Sequence, residues 1–415
     1  MHWSTIATQD ARVCVDLQRG GFAHLNSELS ELFRTLTPGA MAGNLHLLSV
    51  CLKECAMNLN LLYRPVLASA ILGCACLFAS PEAGAQQEGS YTIDRFHFEG
   101  GGSMENMKVG YVTWGSRAAQ DKNVIVLLPP TSGLKSWANA HVGRGKSFDP
   151  DRYFIVSIDA IGGGTSSQPR DGLGSRFPAY NIRDMVRAQH ELLTRGLGIQ
   201  RALAIGGASS GAYQALEWGV THPEFARGLL LYVPAARADS HVKVIIDGIA
   251  GVLSLDPAFN AGHSVPPGGE AVRRASTVYF PWLGSAAGLK VLATDQDLAR
   301  AQSNYADNWA RNWDAVGLAW RYRSSRLHDV SAPYKGNMAE ALARVRADAL
   351  LMPVTTDRTH PISMSDEMRP LLVNARVVNA PLESPRGHVA VFLPPGTPEG
   401  DFVEARTREF LQSLQ

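Results

Sequence analysis

A serine between glycines, placed between an apolar run and a helical segment, is the feature that most restricts how this chain can fold. Residues 206–211 read Gly-Gly-Ala-Ser-Ser-Gly, so Ser209 stands at the centre of a Gly-x-Ser-x-Gly pattern. The apolar run 202–205 precedes this pattern and the segment 212–218 follows it. We interpret the three parts as strand, tight turn and helix, in which Gly207 and Gly211 must lack side chains because backbone crosses beside them. The pattern alone also fits an ordinary strand-to-helix turn, but its flanks favour a turn that exposes the serine hydroxyl.

Two further residues follow in the order that this kind of turn requires. Strand-turn-helix serines of this type are typical of the nucleophile elbow of α/β-hydrolases, in which an acid and then a histidine follow along the chain. Residues 349–357 predict an apolar strand ending in Asp357, and a strand over 375–380 leads into a loop that contains His388. Open α/β sheets build their sites where strands end. We therefore expect His388 to take the Ser209 proton and Asp357 to orient the imidazole.

Plainer interpretations of these residues exist. An aspartate after a strand is often a turn or helix-cap residue, and a single histidine often lies at the surface. Asp366, Glu383 and His360 compete for the same roles. We set His360 aside because it is too close to Asp357 in sequence to be presented from a separate strand end. The ordered coincidence of three motifs favours Ser209, Asp357 and His388 as a catalytic triad.

Two backbone N–H groups are expected to form an oxyanion hole. The N–H of Ser210 lies at the start of the predicted helix, where donors point outward. The strand 123–128 runs into two prolines, which have no N–H, so Thr131 supplies the first donor of the next loop. A simple turn built on the prolines and Gly133 is the alternative interpretation.

Several stretches resemble the homoserine O-acetyltransferase family. The resemblance covers roughly residues 90–236 and 345–414, and the segments that carry it are 143–156, 181–189, 214–218, 356–361 and 387–388. It implies an α/β-hydrolase fold, a serine acyl-enzyme, and Thr131 as the position in the oxyanion loop.

The chain also departs from that family at defined positions. Ala208, Ser210 and Ala212 replace the residues that typically surround the nucleophile, and Val389 stands where an aspartate typically follows the histidine. The segment 237–345 matches no stretch of the family's amino-acid-binding lid. These departures indicate a divergent relative of the biosynthetic enzymes.

An apolar run near the N-terminus predicts export. Residues 66–80 carry no charge, follow Arg64 and precede a small-residue cleavage pattern at 83–85. We expect a signal peptide over 57–85, a mature chain starting near Gln86 and a periplasmic location. Residues 1–56 are then an unassigned extension from an over-long gene prediction. Cleavage as a lipoprotein before Cys74, or a buried core helix at 66–80, are the alternatives.

Composition excludes several classes of function. All five cysteines precede Gln86, so the predicted mature domain has no disulfide, thiol nucleophile or cysteine-based metal site. A net charge of +1 with 19% charged residues gives no reason to expect a nucleic-acid partner. No phosphate-binding loop, dinucleotide fingerprint or metal-spaced histidine pair is present in the sequence, so we expect no cofactor and no metal.

Alternating strands and helices predict an α/β fold with a mainly parallel central sheet flanked by helices. We expect an α/β-hydrolase core over 86–236 and 346–415, interrupted by a helical cap over 237–345. The cap holds Trp282, Trp309, Trp313 and Trp320, which we interpret mainly as cap core and secondarily as lining of an acyl pocket. Its arginines, Arg321, Arg323 and Arg326, are interpreted as a solvated helix face. A homodimer, if one forms, is expected to use the cap.

The sequence therefore predicts an exported esterase that forms an acyl-enzyme on Ser209 with a small ester or acyl substrate. Export argues against an acyl-coenzyme A donor, because these thioesters are cytoplasmic metabolites. We expect no stable membrane association after cleavage of the signal. An O-acyltransferase is the alternative function, and a catalytically silent binding module is the second.

Overall fold

The structure, a computed structural model, describes residues 86–257, 259 and 268–415. The predicted extension 1–56 and signal peptide 57–85 lie outside the described residues. Among the helices of the described part, none is both long and apolar enough to cross a membrane.

A single eight-stranded sheet organises the described residues, in the order β1-β2-β4-β3-β5-β6-β7-β8. Neighbouring strands from β4 across to β8 are parallel, whereas β2 is antiparallel to both β1 and β4. The strands are β1 (Gln87–His97), β2 (Ser103–Trp114), β3 (Val124–Leu128), β4 (Phe154–Ile158), β5 (Ala202–Ala208), β6 (Ala226–Tyr232), β7 (Asp348–Met352) and β8 (Val377–Asn379). The predicted mainly parallel sheet with flanking helices is confirmed.

The α-helices of the described part fall into two groups, those of the core and those inserted between β6 and β7. The core helices are α1 (Ile182–Glu191), α2 (Ser210–Thr221), α9 (Ile362–Met368) and α10 (Pro398–Ser413). The inserted helices are α3 (Ser240–Leu253), α4 (Glu270–Leu283), α5 (Ala286–Leu289), α6 (Asp295–Asn312), α7 (Ala315–Arg326) and α8 (Met338–Leu342).

Strands at the centre of the sheet are apolar on both faces because helices cover both sides. Every residue of β3 and of β5 is buried. Helices α1 and α2 pack on one face, and α10 packs on the other through Val403, Phe410 and Leu411. Strands that are buried on both faces read as continuous apolar runs, which is what residues 202–205 show.

The parallel arrangement places the ends of β3, β5, β6, β7 and β8 at one edge of the sheet. The predicted strand 349–357 is too long, since β7 ends at Met352 and Pro353 supplies no N–H to extend the ladder. Asp357 consequently lies in the turn after β7 rather than at the end of the strand. The loops that follow these strands, together with Ser210 at the start of α2, carry all of the predicted site residues.

The inserted helices bury their own apolar core, as the cap interpretation requires. Trp309, Trp313, Tyr279 and Tyr322 are all buried in this cluster, which also holds apolar residues of α3. The interpretation of Arg321 as part of a solvated helix face is wrong, because this side chain is only 1% exposed. Arg326, by contrast, lies at the surface and pairs with Asp247.

Candidate active site

Ser209 occupies a strained turn between β5 and α2. Its φ of 57° and ψ of −121° lie in a region that residues with a side chain rarely adopt. Its N–H donates to the carbonyl of Tyr232 at 3.0 Å, and its own carbonyl accepts from the N–H groups of Ala212 and Tyr213 at 2.9 and 3.1 Å. The serine is thus held at the N-terminus of α2, where the helix dipole favours negative charge.

The two glycines of the motif are required by close backbone contacts. A Cβ at Gly211 would lie 2.2 Å from the carbonyl oxygen of Leu128, and a Cβ at Gly207 would lie 2.6 Å from the same oxygen. Real Cβ atoms do not approach other atoms so closely. The expectation that side chains at these positions would collide with crossing backbone is confirmed.

Asp357 and His388 form a buried pair. The Asp357 Oδ2 atom and the His388 Nδ1 atom are 2.7 Å apart, and both side chains are almost fully buried. The other oxygen, Oδ1, accepts from the N–H groups of Thr359 and His360 at 2.7 and 2.9 Å. Asp357 therefore has two roles: Oδ1 stabilises the turn and Oδ2 binds His388. With Nδ1 donating to the carboxylate, Nε2 of His388 is the nitrogen able to accept a proton.

The competing acids do not reach this histidine. Asp366 lies exposed on α9, 3.5 Å from the guanidinium of Arg369. Glu383 is also exposed. Of the three candidate acids, the structure brings Asp357 to His388.

His360, which the sequence argument set aside, lies directly beside this pair. Its Nδ1 donates to the carbonyl of Val233 at 2.7 Å, and its Nε2 accepts from the Tyr213 hydroxyl at 2.5 Å. Burial, and then the neighbouring His388, lower the pKa of His360 to about 4, so its ring is neutral at pH 7. The ring ties the turn after β7 to helix α2. The signal in the sequence was its place three residues after the acid.

The Val233 carbonyl that His360 binds belongs to a strained residue. Val233 follows β6 with a φ of 45°, which is costly for a β-branched side chain. Its N–H donates to the carbonyl of Met352 at 3.0 Å, so both of its polar backbone atoms are held. Strain of this kind persists only where surrounding contacts determine the backbone.

A second neutral histidine packs on Tyr213. The rings of His328 and Tyr213 stack with centroids 4.0 Å apart and an interplanar angle of 9°. His328 donates from Nε2 to the carbonyl of Ala235 at 3.0 Å, and burial lowers its pKa to about 3. Tyr213 is thereby fixed between His328 and His360 in a dry environment that raises the pKa of its phenol.

The two expected oxyanion donors are unpaired. Within the part of the chain that the structure describes, the N–H groups of Thr131 and Ser210 donate to no protein acceptor. The Gln214 side chain connects the segments that carry them, donating from Nε2 to the carbonyls of Pro129 at 3.1 Å and Ser210 at 3.0 Å. Gln189 in turn donates to Gln214 at 2.7 Å. Sequence reasoning gave this glutamine no role, although it lies on the first turns of α2 and begins the segment 214–218 that carries the family resemblance.

Asp357, His360 and His388 also have the spacing of a metal site. Their ligand atoms lie within 4.8 Å of one another, and in the described residues they are the one such group. The hydrogen bonds described above already use Nδ1 of both histidines and both oxygens of Asp357. A metal ion would have to replace these bonds.

Comparison with known proteins places the geometry in context. No model of a protein family matches the chain. It is 30% identical over 355 residues to a homoserine O-acetyltransferase of Thermobifida fusca, covering 74% of this chain and 92% of that protein. It is 27% identical over 313 residues to an ethyl acetate hydrolase of Pseudomonas veronii, covering 71% and 87%. The solved structure of the acetyl esterase MekB matches with a TM-score of 0.70 at 25% identity, over 79% and 97% of the two chains.

The parallel sheet, the serine elbow and these structural matches define an enzyme of the α/β-hydrolase superfamily. Within it, the chain belongs to the homoserine O-acetyltransferase family, of which it is a divergent member. Its relatives include both acetyltransferases and esterases, so its class of reaction is acyl transfer to water or to another acceptor.

The buried histidines predict that stability falls in acid. Between about pH 3 and 6.5, His328 is protonated in the unfolded chain but stays neutral in the folded protein. The free energy of unfolding therefore decreases as the pH falls through this range. His360 acts in the same direction, whereas Glu217, whose pKa burial raises to about 7, acts oppositely. In urea unfolding between pH 7 and 5, His328→Phe should reduce the slope of unfolding free energy against pH by up to about 1.4 kcal/mol per unit.

The matched control is His97→Phe, since this histidine is exposed on β1 and its ring makes no hydrogen bond within the described residues. It should leave the slope as in the wild type. Equal slopes for the wild type and His328→Phe would contradict the neutral, buried state of His328.

Proposed function

We propose that this protein is a serine hydrolase that cleaves small esters through an acyl-enzyme on Ser209. The observation that carries the proposal is the strained Ser209 at the N-terminus of α2, on the same sheet edge as the buried Asp357–His388 pair. A serine needs an adjacent base to act as a nucleophile, and the base needs a group that orients it. A catalytically silent binding module would have no need to keep both the strained serine and the Asp357–His388 pair.

The mechanism follows from the atoms available. His388 Nε2 accepts the Ser209 proton as Oγ bonds to the ester carbonyl carbon, and the Asp357 carboxylate stabilises the imidazolium. The N–H groups of Ser210 and Thr131 bind the oxyanion of the tetrahedral intermediate. His388 then gives its proton to the departing alkoxide, leaving the acyl group on Ser209. Water, deprotonated by His388, then attacks the acyl-enzyme through the same steps. The bond to Oγ breaks, the carboxylic acid leaves, and His388 returns the proton to Ser209.

The names of the relatives suggest the acyl group. One is a homoserine O-acetyltransferase, one an ethyl acetate hydrolase, and one solved structure is an acetyl esterase. All three names concern an acetyl group on oxygen. We therefore propose acetyl and other short acyl esters as substrates.

Transfer of the acyl group to an alcohol is the second candidate function. Its support is the 30% identity to an acetyltransferase, and the same acyl-enzyme would serve both reactions. We favour water as the acceptor because the proposed signal peptide over 57–85 would carry the enzyme to the periplasm, away from acyl-coenzyme A.

Loss of the nucleophile should abolish covalent labelling. Ser209→Ala should lose reaction with a fluorophosphonate probe and lower kcat for p-nitrophenyl acetate by at least about 10⁴-fold, because no other group becomes covalent. His388→Ala should be nearly as damaging, and Asp357→Asn should lower kcat by favouring the wrong imidazole tautomer. Gel fluorescence measures the covalent labelling, and steady-state kinetics measure kcat.

Ser365→Ala is the control, since the hydroxyl of this buried serine has no hydrogen-bond partner among the described residues. It should be labelled like the wild type. Persistent labelling of Ser209→Ala, or label transferred to Ser210, would refute the nucleophile. Full activity of Asp357→Asn together with loss in Asp366→Asn or Glu383→Gln would refute the acid.

Product analysis should separate hydrolysis from transfer. With p-nitrophenyl acetate in water, the purified full chain should release acetate, and added homoserine or small alcohols should divert little of it. If the acetylated acceptor is the main product, and acetyl-coenzyme A also acts as donor, the enzyme is an acyltransferase. Ser209→Ala is the control that measures how much acetate and acetylated acceptor form without the nucleophile.

Export should be visible in the N-terminus of the protein. Expressed from Met57 in a bacterial host, the protein should be found in the periplasm with Gln86 or a neighbouring residue first. The same chain started at Met1 serves as the comparison and should be exported less well. N-terminal sequencing decides the question, and a cytoplasmic product starting at Met1 would favour the acyltransferase.

A further inference from the structure

Arg321 of the cap helix α7 reaches into the core and binds the oxyanion loop. Its Nη2 and Nε donate to the carbonyls of Pro130 at 2.9 Å and Thr131 at 3.0 Å, and its Nη1 donates to the carbonyl of Ile161 at 3.3 Å. The side chain is 1% exposed, and its hydrogen-bond partners in the described residues are backbone carbonyls rather than carboxylates. Burying a cation is costly unless hydrogen bonds compensate it, and here each of the three guanidinium nitrogens donates to a backbone carbonyl.

These contacts fix the direction of the expected oxyanion donor. The carbonyl of Pro130 and the N–H of Thr131 belong to one planar trans peptide, so they point in opposite directions. Arg321 holds that carbonyl together with the N–H of Gly133, which donates to it at 3.0 Å, so the Thr131 N–H must point away from the guanidinium. The Thr131 carbonyl, held by Nε, fixes the next peptide plane in the same way.

Other side chains hold the neighbouring carbonyls. Trp313, just before α7, donates from Nε1 to the carbonyl of Ser132 at 3.0 Å, and its ring centroid lies 5.8 Å from the Arg321 guanidinium carbon. Gln214 of α2 donates to the carbonyl of Pro129. The four consecutive carbonyls of residues 129–132 are therefore all held by side chains of the cap or of α2.

We propose that Arg321 is a positioning residue that aims the Thr131 N–H at the oxyanion, so that the cap completes the oxyanion hole. The proposal rests on the proposed function of Ser209 as nucleophile. Because the oxyanion exists only in the transition state and the intermediate, misaiming its donor should lower kcat and leave KM nearly unchanged.

The test compares Arg321→Met and Arg321→Lys with matched changes at Arg323, which is exposed on the same helix. With p-nitrophenyl acetate and the full chain, Arg321→Met should lower kcat by about 10- to 300-fold with KM within about threefold. Arg321→Lys should recover only part of the loss, because one ammonium cannot bind three carbonyls in the geometry of a guanidinium. Arg323→Met and Arg323→Lys should retain wild-type kcat.

A second readout separates positioning from general support of the fold. The thiono analogue of the ester develops its charge on sulfur, which accepts hydrogen bonds weakly, so the oxyanion hole assists it less. Arg321→Met should therefore lower the ratio of the oxo-ester rate to the thiono-ester rate. Equal losses for both esters, or a change in KM alone, would overturn the proposal.

If Arg321→Met does not fold, Trp313→Phe tests the same loop, since it keeps an aromatic ring, although a smaller one, and removes the donor to the Ser132 carbonyl. It should lower kcat and the oxo-to-thiono ratio in the same direction, and an unchanged ratio would overturn the proposal. Failure of the underlying function is distinguishable, because the wild type would then neither hydrolyse the ester nor be labelled at Ser209.

Discussion

The close approach of two glycine backbones to the carbonyl of Leu128 is the contact on which the candidate site depends. It brings the turn after β5 against the end of β3, with no side chain between them. Ser209 can then take its unusual backbone conformation, and the loop that follows Leu128 begins directly beside it. The nucleophile and the loop carrying Thr131 are thus placed relative to each other by backbone contact, which varies less than contact through flexible side chains.

Environment gives the histidines near this turn different roles. His388 uses one ring nitrogen on Asp357 and leaves the other for the proton transfer that we propose. His360 uses both nitrogens on neighbouring groups and is held neutral by burial, so it connects parts of the site without titrating near pH 7. The same residue type therefore supplies a proposed base and a rigid link, and only the hydrogen-bond partners distinguish them.

Much of the fold and the three proposed catalytic residues could be predicted, because each is marked by a local pattern. Ser209 lies in a glycine turn between strand and helix, and Asp357 and His388 lie in loops after apolar strands. The linking role of the His360 ring and the buried position of Arg321 could not be found in this way, since these side-chain contacts join residues more than a hundred positions apart in the chain. Helix α7 also buries residues on most of its sides, so no polar face marks which way an arginine points.

The attachment of α7 to the loop after β3 limits how this cap can behave. A cap that lifted away as one body would take Arg321 and Trp313 from the carbonyls of residues 130–132 and leave the loop with the support of Gln214 and of its own turn. Movement of the cap as one body would therefore break hydrogen bonds to three consecutive carbonyls at once. In evolutionary terms, the cap is not a freely exchangeable module: recombination that replaced it whole would discard part of the framework of the core.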